Sequence, residues 1–155
     1  MAEDLITEQI RSLIGVEWPA VVHEVERTGI RMWARAVGMD DPVFYDEEEA
    51  RRRGFDRLPA PPGFLGVPRV SPAQPEPGPP IRGLNRKLQR SLNGGTEIEL
   101  YAPILAGDEL AAVSCIVDVK QREGRIGPML IITRETVFRR DGEAVARTRA
   151  TVINY

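Results

Sequence analysis

Side chains able to move a proton near neutral pH are scarce in this chain. It holds one histidine, His23, and one cysteine, Cys115. General acid–base catalysis needs an imidazole or carboxylate within hydrogen-bond reach of the reacting group. The candidates are His23 and the adjacent carboxylates Asp40 and Asp41. Asp40-Asp41 reads either as a displaced acid–base pair or as a turn before Pro42; aspartate is common in such turns, so the turn is favoured. His23 lies on a predicted strand and reads as a half-buried structural histidine in preference to a general base. With a single histidine and no Cys/His spacing of the zinc type, no metal site is expected. Cys115 falls within a long apolar strand and reads as inert core.

Three other groups have chemistry worth weighing. Arg82, Arg86, Lys87 and Arg90 cluster before the first long strand. Such a cluster suits phosphate oxygens, with Arg86 and Lys87 the candidates; a solvated loop face is the favoured alternative. Trp33 and Phe64 read as core, as the lining of an apolar tunnel, or as both. Asn93, Gly94 and Gly95 allow close backbone approach to a ligand, or form a bulge at a strand entry; both readings stand.

These residues must be positioned by elements that the sequence pattern predicts. Residues 3–14 place apolar side chains at helical spacing, and residues 17–25 suggest a strand. Residues 28–37 carry Ile30, Trp33, Ala34 and Val37 on one face, with Thr28 as cap and Gly38 as stop. A further helix starts at Asp46, with Glu49 completing a capping pattern and Gly54 ending it. Its run EEEARRR places acid at the positive end and base at the negative end of the helix. Residues 59–80 contain nine of the 13 prolines, which rules out regular sheet there. Within them, residues 60–67 suggest a short buried helix. After residue 88 the period becomes two: strands are expected over 96–101, 109–120, 128–138 and 143–155, with Asp141-Gly142 a type I′ hairpin turn. The expected class is α+β, a curved antiparallel sheet with helices on one side.

The 155 residues, 42% hydrophobic and 28% charged, make an ordinary globular domain, so residues 1–155 are read as one unit. A net charge of -2 gives no general attraction to nucleic acid or anionic membrane. The acidic, polar opening MAEDLITEQI does not read as a signal peptide, and no apolar run reaches the ~20 residues of a membrane helix. A cytoplasmic location is expected.

Two stretches carry a family resemblance. AVGMDDPVFYDEEEARRRGFDRLPAPPGFL, residues 36–65, resembles the G-D-x-N-P-hydrophobic-H segment, acidic helix and A-P-P stretch of MaoC-like (R)-specific enoyl-CoA hydratases and 3-hydroxyacyl dehydratases. LNGGTEIELYAPILAGDEL, residues 92–110, is similar to the strand-turn-strand of their N-terminal-type half. The resemblance implies a hot-dog fold, in which the sheet wraps a central helix. It also implies dimers whose sheets join around an acyl-thioester tunnel. In active members a carboxylate and an imidazole hold a water over the enoyl β-carbon, and backbone N–H groups polarise the thioester carbonyl.

Carried over by position, Gly38, Pro42 and Val43 match the motif. Met39 falls at the catalytic aspartate, Asp41 at the asparagine and Phe44 at the histidine. Both proton-moving groups are therefore absent. Pro62, which has no N–H, falls at the oxyanion donor, with Gly63 a substitute one position on. The expected substrate-binding residues are Trp33, Pro62, Gly63, Phe64, Asn93 and Gly94. The implied ligand is an acyl thioester of coenzyme A or acyl carrier protein, with no other cofactor. The leading expectation is a non-catalytic subunit paired with a catalytic hot-dog chain. An active homo-oligomer using Asp40 or Asp41, and a non-enzymatic acyl-CoA-binding module, are the alternatives.

Overall fold

The computed structural model describes residues 4–73, 78, 84, 85 and 87–155. Arg82 and Arg86 lie outside the described residues. Six strands form one antiparallel sheet in the order β2-β1-β4-β5-β6-β3. They are β1 (Val21–Glu24), β2 (Val67–Pro68), β3 (Ser91–Leu100), β4 (Glu109–Gly124), β5 (Gly127–Arg140) and β6 (Glu143–Asn154). Helices α1 (Glu8–Ser12), α2 (Arg27–Ala36) and α3 (Glu47–Arg52), with a 3-10 turn at Pro42–Phe44, complete the described elements. This is the curled hot-dog sheet that the sequence suggests.

Alternation builds the sheet's inner face. Ala112, Ser114 and Ile116 of β4 register with neighbours on β5, where Ala112 faces Phe138 and Ser114 faces Thr136, and Leu110 faces His23 of β1. Ala146 of β6 faces Phe138 in turn. One core cluster packs Ile30 of α2, Ala50 of α3, Leu58 and Phe64 with Leu110, Phe138 and Ala146. A second packs Leu5, Ile10 and Leu88 with Ile116, Leu130 and Ile132. The Ser114 and Thr136 hydroxyls, 2.7 Å apart, satisfy one another on the face between the clusters.

Several local expectations shift for identifiable reasons. The first helix is shorter than residues 3–14 because Thr7 is extended and caps it, its Oγ1 accepting from Ile10 N at 3.2 Å, while Leu5 N donates to Gln121 Oε1 of β4 at 2.7 Å. The first strand is confined to Val21–Glu24: Trp18 N reaches Ser114 O at 2.9 Å, and Pro19 then interrupts the ladder. In α2, Glu26 rather than Thr28 holds the cap position, and it makes no side-chain cap. Val25 N donates to Asp108 O and Gly107 N to Val25 O, so the chain leaves the sheet and enters the helix without a spacer. In α3, Asp46 Oδ1 accepts from Glu48 N and Glu49 N. Glu49 does not return the bond, because Asp46 N is already held by Pro42 O and Glu49 pairs with Arg52 and Arg53.

No helix forms over residues 60–67. Gly63 and Gly66 take positive φ values of 93° and 80°, which a helix cannot contain. A Cβ on Gly66 would stand 2.9 Å from Glu24 O, so the segment lies directly against β1. β4 runs on to Gly124, past the expected turn, and the reversal is Arg125-Ile126. The Asp141-Gly142 hairpin is as expected: both residues have positive φ, 51° and 85°, as a type I′ turn requires.

Asp108 is buried with its carboxylate fully engaged. It accepts from Leu105 N at 2.9 Å, Arg57 Nη2 at 3.0 Å and Arg140 Nη1 at 2.6 Å. Asp108→Ala is expected to lower unfolding stability by about 2–4 kcal/mol, because it strips both guanidiniums and a backbone N–H of their acceptor. Arg11→Ala, which breaks an exposed pair with Asp4, should cost less than about 1 kcal/mol. Urea unfolding of both variants measures the contrast.

Candidate functional site

The segment after α2 builds one wall of the site. Gly38 has φ 74° and ends the helix, and Met39 N then returns to Ala34 O at 2.8 Å. The Met39 carbonyl accepts from Tyr45 Oη at 2.6 Å, which closes residues 39–45 into a compact loop. Inside it, Asp41 caps the 3-10 turn: its Oδ1 accepts from Val43 N at 3.1 Å and its Oδ2 from Arg53 Nη1 at 2.9 Å. The Val43 N–H first, and then Arg53, hold the Asp41 carboxyl below its ordinary pKa. A carboxylate stabilised as its anion in this way is a weak proton acceptor, which favours the turn reading. Asp40 is exposed beside it.

The turn aims Phe44 into an apolar cavity of about 260 Å³. Val43 and Phe44 form one side, Phe55 and Pro59–Pro61 another; Phe64, Leu100 of β3 and Ile104 complete the lining. A smaller apolar cavity, of about 150 Å³, already admits a benzene ring in other proteins. Arg53 is the one charged residue in the lining, and it is committed to Asp41 and to Glu49 Oε1 at 2.6 Å. Those two carboxylates raise its pKa, and with Arg52 also on Glu49 the group is neutral. The pocket thus suits a hydrocarbon group and gives a phosphate no net attraction. Met39, at the other motif position, is absent from the lining.

The wall behind the cavity rests on close packing. The Trp33 and Phe64 rings lie 5.8 Å apart at 42°. A Cβ on Gly63 would meet Trp33 Cζ2 at 3.3 Å. Gly29, in the first turn of α2, is a residue that sequence reasoning missed: a Cβ there would stand 2.7 Å from Phe64 Cζ.

The other candidates lie elsewhere. Pro62 is exposed and is not part of the cavity lining. Asn93, Gly94 and Gly95 form a bulge in β3: the ladder to β6 shifts there, and Asn93 Oδ1 accepts from Gly95 N at 2.9 Å. Lys87 is exposed on the approach to β3. His23 stands edge-on to Phe138, centroids 5.2 Å apart, and is outside the cavity lining. No cluster of metal-ligating side chains occurs among the described residues. No helix among them is long and apolar enough to cross a membrane.

Gly29→Ala should destabilise the protein, by about 1–3 kcal/mol, because the new methyl overlaps the Phe64 ring. In an exposed helix the same change would stabilise by about 1 kcal/mol, so the sign in a thermal melt is diagnostic. Because its folded-state pKa is depressed, Asp41 contributes stability above the ordinary carboxylate pKa, and that contribution disappears as pH falls through the depressed value. Asp41→Asn should therefore be less stable than wild type at pH 6 and converge on it as the pH falls below the ordinary carboxylate range; acid titration of both proteins followed by circular dichroism measures the convergence.

Residues 12–148 match the model of the FAS1-like dehydratase domain region. A UPF0336 protein of Saccharopolyspora erythraea is 30% identical over 144 residues, covering 92% of this chain and 89% of that one. Among solved structures, the C-terminally truncated HadBC (3R-hydroxyacyl-ACP dehydratase) complex of Mycobacterium tuberculosis contains a similar chain. It superposes with a TM-score of 0.69 at 26% identity, covering 91% of this chain and 96% of its own. The ChsH1-ChsH2 complex of the same organism, at 21% identity and a TM-score of 0.68 over 89% of this chain and 86% of that one, shares the fold. This chain belongs to the FAS1-like dehydratase-region family and folds as a MaoC-like hot dog.

Proposed function

We propose that this chain is an acyl-thioester-binding, non-catalytic subunit of a heteromeric enoyl-thioester hydratase or 3-hydroxyacyl dehydratase. The observation that carries the reading is the cavity beside Phe44. Where an active relative would present an imidazole, this chain presents a phenyl ring in an apolar lining whose one cation is neutralised. Such a pocket moves no proton, but it can remove hydrocarbon from water at about 25 cal/mol per Å². The division of labour follows. A catalytic hot-dog partner supplies the carboxylate and imidazole that add water across the enoyl bond. This chain supplies an apolar wall for the acyl group. The thioester handle, coenzyme A or acyl carrier protein, lies outside the cavity, with Arg86 and Lys87 as candidate phosphate contacts. The HadBC and ChsH1-ChsH2 neighbours, both complexes of two named components, support a two-chain arrangement.

The test is reconstitution. The purified chain alone should leave crotonyl-CoA and longer enoyl-CoA substrates unchanged. Adding a small hot-dog chain from the same genome with an intact G-D-x-x-P-x-H segment should raise turnover at least about 100-fold, the order that general acid–base groups contribute. Ala60→Trp, which fills the cavity, should raise KM for long-chain substrates and leave crotonyl-CoA turnover little changed. Turnover by the chain alone that is lost on Asp40→Ala or Asp41→Ala would overturn the proposal in favour of an active homo-oligomer. Tight acyl-CoA binding with no turnover in any pairing would point to a binding module instead.

A further inference from the structure

The two edges of the sheet are unequal. The β2 edge is two residues long and includes Pro68, which has no N–H to offer a neighbour. The β3 edge is ten residues long, and nine of those residues are exposed. On its inner face Ile98 and Leu100 remain 41% and 48% exposed. On its outer face stand Glu97 and Glu99, in register with Arg149 and Arg147 of β6. The two arginines do not neutralise both acids. Arg147 bonds Glu99 through Nη2 at 2.8 and 2.9 Å, and Tyr101 Oη adds a third bond at 2.9 Å. Arg149 turns the other way, to Glu135 Oε2 at 2.7 Å. Glu97 is left at the rim without an ion pair among the described residues.

We infer that the β3 edge disfavours a second copy of this chain and fits a partner strand bearing lysine or arginine opposite Glu97. This rests on the two-subunit reading above and adds to it the chemistry of the partner's edge. A shared acyl pocket requires both inner faces on one side. Antiparallel self-pairing then sets outer-face residues opposite outer-face residues. A two-fold axis at residue 97 opposes Glu97 to its own copy. An axis at 98 opposes Glu97 to Glu99 twice, and an axis at 99 opposes the two Glu99 side chains. Moving the axis to 96 runs each regular strand into the other's Asn93–Gly95 bulge. Each register centred on residue 97, 98 or 99 therefore sets carboxylates opposite one another, which destabilises a strand pair. A cation opposite Glu97 turns that repulsion into attraction and answers the one outer-face acid that β6 leaves unpaired.

The test titrates fluorescently labelled wild-type protein with unlabelled wild type, Glu97→Gln or Glu97→Lys. Glu97→Lys should associate with labelled wild type about ten-fold more tightly than wild type does at 50 mM NaCl, with Glu97→Gln between them. The gap should close at 0.5 M NaCl, where exposed charges are screened. Matching circular dichroism melts confirm that the variants fold. Three outcomes would overturn the inference: wild-type self-association as tight as that with Glu97→Lys, a gap that salt does not alter, or no association of any pair up to the solubility limit. A wild type that self-pairs tightly yet still reconstitutes hydratase activity with a catalytic chain would remove this inference and leave the proposed function standing.

Discussion

A single buried carboxylate ties together the parts of the chain that form the pocket. Asp108 is 2% exposed as a side chain, and it survives there because Arg57, Arg140 and the Leu105 N–H all point at it. An ionised group in so dry a place is stable only when every lone pair has a partner. The consequences spread outward from these bonds. Arg57 also donates to Ala106 O and Arg140 to Pro103 O, which fixes the turn between β3 and β4. Ala60 N then meets Ile104 O at 2.7 Å, and the proline-rich segment is held as a wall beside Phe44. On the other side, Asp108 O takes Val25 N, so the entry to α2 is set by the same turn.

This arrangement explains how the scaffold holds an apolar pocket open. The loop over residues 39–45 is closed by its own capping bonds, from Tyr45 to Met39 and from Val43 to Asp41. Of the side chains at 39 and 44, only Phe44 lines the cavity. Arg53, which would otherwise bring a positive charge to the lining, is turned into a brace between Asp41 and α3.

Much of the fold was legible because β structure with one buried face writes a period of two into the sequence. The strands of the second half, the Asp141-Gly142 turn and the capped α3 helix all follow from that pattern and from local turn chemistry. The shifted elements are those in which a distant group takes a backbone bond. Val25 N and Gly107 N tie the entry of α2 to the turn before β4, and the approach of residues 63–66 to β1 forbids a helix where the apolar run APPGFLGV suggested one. The requirement for glycine at 29 was invisible for the same reason, since Phe64 lies 35 positions away in the chain.

By itself the sequence determined the class of fold, the methionine and phenylalanine at 39 and 44, and the single histidine of the chain, because residue identity and short spacings are local properties. Only the tertiary structure decided that Phe44 lines an open cavity while Met39 does not, that Arg53 is neutralised, and that Glu97 is a rim acid without an ion pair among the described residues. Each of those depends on which groups meet across the sheet or across a turn, and a guanidinium's choice between two carboxylates is made by distance in space rather than by position along the chain.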